Sequence, residues 1–202
     1  MKIKYFGHSC FSINYNDYTI VLDPYANESV PGLKPLEVSA NLVLCSHNHS
    51  DHSAKERVKI IKTSIKNPFK IEKISSFHDD KQGSLRGDNI IHLITTDNLR
   101  IAHLGDLGCD LNQSQIDNLR NLDVLMIPIG GHYTIDASKA SEIIDILKPK
   151  TVIPMHYRTH TWGLHPISTL EPFIKIYPNT IISESNELSV PSDNKVIALT
   201  YR

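Results

Sequence analysis

The first half of the chain alternates in the manner of successive strands. Residues 2–6 switch between polar and apolar side chains, and 10–14 and 18–22 flank Tyr15-Asn16-Asp17, which reads as a hairpin turn. Residues 41–46 hold the continuous apolar run Leu42-Val43-Leu44, the pattern of a strand covered on both faces. Alternation returns at 71–77, and 89–95 and 98–104 bracket Thr96-Asp97 as a second hairpin.

The second half interleaves strands with helices. Residues 122–127 and 151–155 are aliphatic or β-branched runs. Between them, 136–147 sets Ala140, Ile143, Ile144 and Leu147 on one helical face, and Pro149 stops it. Ser168-x-x-Glu171 predicts a capping box, opening a helix whose apolar face is Leu170, Phe173, Ile174 and Tyr177. Two further amphipathic helices are expected, at 54–65 through Val58, Ile61 and Ile65, and at 113–122. Short strands around 180–183 and 196–200 close the chain. Residues 27–37, with Pro31, Gly32 and Pro35, form an extended loop, read as a surface excursion rather than a lid. No repeat, low-complexity tract or long linker divides the chain. Residues 1–202 therefore read as a single domain of the α/β class, too rich in strands for a simple doubly wound sheet.

Composition narrows the partners. The 202 residues suit one domain, and 40% hydrophobic with 21% charged is a globular mixture. The 21 Lys+Arg against 22 Asp+Glu leave a net charge of -1, without the basic excess that binding nucleic acid draws on, so a small molecule is the expected partner. No apolar run approaches the ~18–20 residues that span a bilayer, and the opening MKIKYFGHSC lacks the apolar segment of a signal peptide. Three widely spaced cysteines, Cys10, Cys45 and Cys109, fit a reducing compartment, and a cytoplasmic location is the expectation.

Histidine changes the picture. Of 11 in the chain, three fall in the segment His47-Asn48-His49-Ser50-Asp51-His52, directly after the apolar run 42–44. Imidazole and carboxylate together suit a borderline divalent ion such as zinc. His47 and His49 project to one side of an extended chain, while Asp51 and His52 lie beyond a turn and can face a second ion. Two ions need more ligands than one loop supplies. Three other predicted strands also end in suitable residues: His78 follows 71–77, Asp106 follows 98–104, and His156 follows 151–155. Strand ends gathered along one sheet edge are where loops build sites. His8 and Asp23 end two earlier strands and can sit nearby.

On these residues the chain resembles the metallo-β-lactamase superfamily, in particular its small stand-alone metal-dependent hydrolases related to the ascorbate-6-phosphate lactonase branch. The likeness is carried by Gly7-His8-Ser9, Leu22-Asp23-Pro24, the string His47 to His52, and His78-Asp79 with Gly83, Arg86-Gly87 and Asn89. It continues through His103-Leu104-Gly105-Asp106, Pro128-x-Gly130-Gly131, Tyr133-Thr134-x-Asp136 and Pro154-Met155-His156-Tyr157. The resemblance implies the metallo-β-lactamase fold, an αββα four-layer sandwich with two metals at its edge. One ion would take His47, His49 and His78, the other Asp51, His52 and His156, with Asp106 bridging. His103 competes with His78 for the third histidine role; His78 is preferred, because His103 and Asp106 would have to ligate across a tight turn. The short stretch between His52 and His78 leaves little room for an inserted cap, and an extra domain of the kind carried by the family's RNA-processing members is not expected after the last ligand.

The implied activity is hydrolysis with two Zn2+ ions per chain, Mn2+ or Fe being the other ions this donor set admits. Two such cations, ~3.5–4 Å apart, lower the pKa of a bridging water from ~15.7 toward ~7. Asp51 is the expected catalytic residue, orienting that water and shuttling its proton. A small ester, lactone or phosphodiester is the expected substrate, the lactone favoured through the resemblance. Two rival classes are a nucleic-acid phosphodiesterase and a di-iron redox protein, whose members carry Glu where this chain has His49. Other residues are ambiguous. Arg86 can bind an anion or pin a turn, His132 can touch substrate or sit in a loop, and Asp136 can cap a helix. His160 and His165 read as surface loop, His92 as structural, Cys45 as a buried structural thiol, and Cys109 receives no role.

Overall fold

The computed structural model describes residues 1–191 and 195–201; residues 192–194 and 202 of the expected domain lie outside the described residues. Strands β1 (Lys2–Tyr5), β2 (Phe11–Tyr15) and β3 (Tyr18–Leu22) form an antiparallel meander, turning at Asn16 and Asp17 in left-handed backbone. The register pairs Phe11 with Leu22 and Ile13 with Ile20. These four side chains enter the main core, whereas Cys10 and Val21, one position out of phase, enter a smaller cluster on the opposite face. Both faces of this sheet are therefore covered.

What covers the smaller face differs from expectation. The helix expected at 54–65 is absent. After β4 (Val38–Ala40) and β5 (Leu42–Leu44), a single 3-10 turn at Lys55–Arg57 leads into β6 (Val58–Ile60), which pairs in parallel with β4. The periodic residues do not share a buried face: Val58 is 5% exposed, but Ile61 and Ile65 are 45% and 43% exposed. With no face to bury, the β-branched run keeps the extended backbone it favours. Residues 27–37 are irregular as expected, but Val30 and Leu36 are buried in the smaller cluster, so the loop packs as a layer.

Strands β7 (Lys70–Phe77), β8 (Asp88–Thr95) and β9 (Arg100–His103) form the antiparallel half of the larger sheet. Helix α1 (Gln113–Asn118) follows, shorter than the expected 113–122, opened by an Asn112–Gln115 capping box and closed at Leu119. Strand β10 (Val124–Pro128), helix α2 (Ala137–Leu147) with Asp136 as its cap, and strand β11 (Thr151–Met155) match the expected alternation. Helix α3 (Glu171–Ile176) lacks the expected capping box. Ser168 donates its N–H to the Gly130 carbonyl and accepts from Arg158 N–H, which holds it extended, and the helix starts after Leu170 instead. Strands β12 (Ile181–Ile182), β13 (Glu187–Ser189) and β14 (Lys195–Ala198) complete the chain.

The smaller sheet has the order β13-β1-β2-β3-β5 and the larger β12-β14-β11-β10-β9-β8-β7. Their facing side chains, such as Ile3, Phe11 and Ile20 against Ile91, Ile101 and Met126, share one core. Parallel pairing of β9, β10 and β11 brings their C-terminal ends to one edge, and β7, antiparallel to β8 as β9 is, ends there too. Strand β5 ends beside them, where Ile90 N–H reaches across to the Ser46 carbonyl. Among the described residues no helix is long and apolar enough to cross a membrane.

Candidate metal centre

That edge gathers all seven expected ligands. Asp106 lies at its centre, 2% exposed, with Oδ2 at 3.1 Å from His156 Nε2, 3.3 Å from His52 Nε2, 3.3 Å from His78 Nε2 and 4.0 Å from His47 Nε2. Ligand-capable atoms fall into groups whose members lie within 4.8 Å of one another: His47, His49 and His78; His8, Asp51, His52 and His156; and His47, His52 and Asp106. The first and second groups reproduce the two expected sets, with His8 added, and the third spans them.

The turn carrying Asp106 needs its glycine. Gly105 is left-handed at φ +55°, and a Cβ there would collide with the Asn89 amide and Ser46. Asn89 locks the turn by accepting Asp106 N–H (2.9 Å) and donating to the Leu104 carbonyl (2.9 Å). Gly108 lets the backbone pass against His78, where a Cβ would collide with its carbonyl.

Outer contacts orient the imidazoles. His52 Nδ1 meets Asp23 Oδ2 at 2.9 Å, His78 Nδ1 meets the Tyr133 carbonyl at 3.1 Å, and His47 Nδ1 meets the Ser46 hydroxyl at 2.9 Å. A proton held on Nδ1 by an acceptor leaves Nε2 as a free lone pair, the form that binds a cation. Asp23, wholly buried, also accepts Ser46 N–H (2.7 Å) and the Ser46 hydroxyl (2.6 Å). Among the described residues His47 Nε2, His52 Nε2 and Asp106 Oδ1 are buried without a hydrogen-bond partner. Orphaned buried polar atoms carry a penalty that a bound cation would remove. The donor set fits a metal.

Electrostatics agree at His47 and the carboxylates and not at His52. Burial, with the positive charge of His52 next, drives the His47 imidazole down to about 3. Burial and His156 bring His8 down to about 4 against the opposing hydrogen bond from Asp51. His52 behaves oppositely: burial opposes its charge, but Asp106, Asp51 and Asp23 outweigh it and hold the imidazole well above the usual range. Burial raises Asp23, yet its bond to His52 and the charges of His103 and His52 hold it at about 2. Asp106 is likewise well below the usual carboxylate range, burial being overcome by His156 and His52. The neutral His47 and His8 and the ionised Asp106 and Asp23 are in the forms a divalent cation requires, whereas His52 binds one only by giving up the proton that the carboxylates hold on it.

His103 stands apart from the cluster. Its Nε2 contacts the Ser9 carbonyl at 2.9 Å and its Nδ1 accepts Gly105 N–H at 3.2 Å, so both nitrogens are engaged. His92 lies buried in β8, Asp136 caps α2, and His160 and His165 are exposed in a loop, as expected. Cys45 and Cys109 are only half-buried and, with Cys10, free. His132, left-handed at φ +57°, packs its ring on Tyr133 and lines a cleft of about 450 Å3 beside the centre. The centre itself opens into a cavity of about 190 Å3, lined by His49, Asp51, His78, Asp106 and His156 together with Arg86, Tyr133 and Leu164. Sequence reasoning gave no role to Ser46 or to the Tyr133 carbonyl, since neither residue type signals a histidine acceptor on its own.

The chain matches a family model described as the beta-lactamase superfamily domain over residues 2–156. A UPF0173 metal-dependent hydrolase of Nanoarchaeum equitans is 31% identical over 209 aligned residues, covering 86% of this chain and 89% of the relative. Another, of Desulforamulus reducens, is 29% identical over 199, covering 81% and 86%. A solved structure of the metallo-β-lactamase superfamily from Thermotoga maritima aligns with a TM-score of 0.80 and 31% identity, covering 100% of this chain and 99% of that one. With the histidine string, the strand-edge site and these matches together, the chain belongs to the β-lactamase superfamily and has the metallo-β-lactamase fold.

Proposed function

We propose that this chain is a metal-dependent hydrolase that holds two divalent cations, zinc first among them, and cleaves a small ester, lactone or phosphodiester. The relatives from Nanoarchaeum equitans and Desulforamulus reducens are named metal-dependent hydrolases, and the Thermotoga maritima structure is described as a candidate Zn-dependent hydrolase. The observation that carries the reading is Asp106: one buried carboxylate faces four imidazoles drawn from three separate loops. In this reading His47, His49 and His78 hold one cation, Asp51, His52 and His156 the other, and Asp106 lies between them. Bound there, the cations supply Lewis acidity and lower the pKa of a coordinated water.

The chain's own residues do the rest. Asp51, 17% exposed and held at Oδ2 by His8 Nε2 at 3.2 Å, faces the cavity as an ionised carboxylate. It orients the attacking water and takes up its proton, releasing it to the leaving group. Tyr133 and Leu164 wall the cavity against bulk water, and its small volume favours a small substrate over a polymer.

The test is metal analysis of purified protein, followed by turnover of lactones, esters and phosphodiesters by the reconstituted enzyme. Asp106→Ala is expected to abolish hydrolysis and to lower metal content. Near-normal turnover with two ions still bound removes Asp106 from the reaction. Bound iron with redox-active absorption, and no hydrolysis, favours the di-iron alternative.

A further inference from the structure

We propose that Arg86 determines substrate specificity by binding an oxyanionic group, a carboxylate or phosphate, that the substrate carries apart from its scissile bond. The proposal rests on the hydrolase reading above and names its substrate class. Arg86, together with Tyr133, lines both the inner cavity of about 190 Å3 and the outer cleft of about 450 Å3, so it lies on the boundary the two share.

From sequence alone, anion binding and pinning a turn are equal roles for this residue. The turn turns out to be pinned by Asp79. Its Oδ1 accepts the N–H of Lys81 (2.7 Å) and Gly83 (3.0 Å), and its Oδ2 accepts those of Leu85 (3.0 Å) and Arg86 (2.7 Å). Two backbone bonds, Gly87 N–H to Gly83 (2.8 Å) and His78 N–H to Gly87 (3.0 Å), close it onto the centre. The guanidinium has no part in this. Among the described residues it makes no ion pair and no hydrogen bond, and its packing partner is the Tyr133 ring, 5.6 Å away. Tyr133 also holds His78 through its carbonyl, so one residue fixes both the cation and the candidate ligand. A stacked arginine is pre-ordered and loses little further freedom on binding.

The charges nearby are otherwise matched. Asp79 is saturated by amides, Asp80 pairs with Lys81 at 3.4 Å, Asp136 caps α2, and Glu142 pairs with Lys139 at 2.7 Å. Arg86 is the cation left over at the cavity mouth, with a planar donor fork that fits a carboxylate or phosphate.

The test uses metal-reconstituted protein and three acids as probes, measured by calorimetry: butyrate, glutarate and 3-phosphonopropionate. Butyrate offers one oxyanion, which the metal centre takes; the other two offer a second for Arg86. Tighter binding of glutarate or 3-phosphonopropionate than of butyrate by roughly 10–100-fold is expected, the range for a charged hydrogen bond. Whichever of the two binds better identifies carboxylate or phosphate. In Arg86→Met the preference should fall to within twofold, and Arg86→Lys, which keeps the charge without the fork, should retain part of it. Equal binding of all three probes by the wild type, or an undiminished preference in a folded, metal-loaded Arg86→Met, overturns the proposal. Hydrolysis of phenyl esters of the same acids is scored separately. Its absence counts against the hydrolase reading, while the preference among acids still decides the role of Arg86.

Discussion

His78 and His103 compete in the sequence for one ligand role, with His78 preferred, and their contacts predict opposite defects. His103 is wholly buried, with Nε2 on the Ser9 carbonyl at 2.9 Å and Nδ1 under Gly105 N–H at 3.2 Å. His103→Ala leaves that carbonyl and that N–H buried without partners, at about 1–3 kcal/mol each, or about 2–6 kcal/mol together. Against a total stability of about 5–15 kcal/mol this is a large loss. Metal stoichiometry should stay at two, with affinity weakened at most about 10–100-fold through the loosened Gly105-Asp106 turn. His78→Ala loses its one bond, to the Tyr133 carbonyl, worth about 1 kcal/mol net. It also takes one of three imidazoles from the group formed with His47 and His49, so bound metal should fall toward one per chain and activity by orders of magnitude. Urea denaturation of the metal-stripped proteins gives the first quantity, and elemental analysis after dialysis of the loaded proteins gives the second. The reasoning fails if His103→Ala empties a site at normal stability while His78→Ala keeps both ions.

Asp23→Asn should weaken the ion held with His52 about 10–100-fold, because the amide nitrogen cannot accept from His52 Nδ1, now 2.9 Å from the carboxylate. Chelator competition reads this directly, and an unchanged affinity excludes Asp23 as the residue that orients His52. His92 predicts an acid instability: it is wholly buried, both ring nitrogens lack partners among the described residues, and burial brings its pKa from 6.5 down to about 4. The unfolded chain takes up this proton near pH 6.5 and the folded chain only near 4, so stability falls as pH drops through that window, by about 3 kcal/mol in total. His92→Leu should flatten this part of the stability–pH curve in denaturant titrations at pH 7 and pH 4.5, and an unaltered slope removes His92 as its source.

The elements legible in the sequence are those whose signal is local. Side chains of the two hairpins and of α2 alternate or recur with the period of the backbone that carries them, and Asp136 and Pro149 mark the ends of the helical pattern. The string His47 to His52 is legible for the same reason, since imidazoles that close in sequence are rarely there for packing. His78, Asp106 and His156 could be proposed because a parallel sheet delivers its strand ends to one edge.

Other features depend on residues distant in the chain. Residues 54–65 fit a helical period, but the pairing of Val38 with Val58 and Ala40 with Ile60 makes 58–60 strand, a choice that depends on a segment about twenty residues earlier. His8 meets Asp51 across 43 positions, and Tyr133 presents its carbonyl to His78 across 55. Any residue can offer a backbone carbonyl, so nothing in the identity of position 133 announces that contact. The role of Arg86 follows the same rule, because its freedom to bind an anion depends on the Asp79 carboxylate having already satisfied the amides of the turn. The sequence by itself determined the donor atoms and the strands that carry them. Tertiary structure alone decided which nitrogen of each imidazole faces the centre and which charge at its mouth is left unmatched, because both depend on partners that meet only when the two sheets pack.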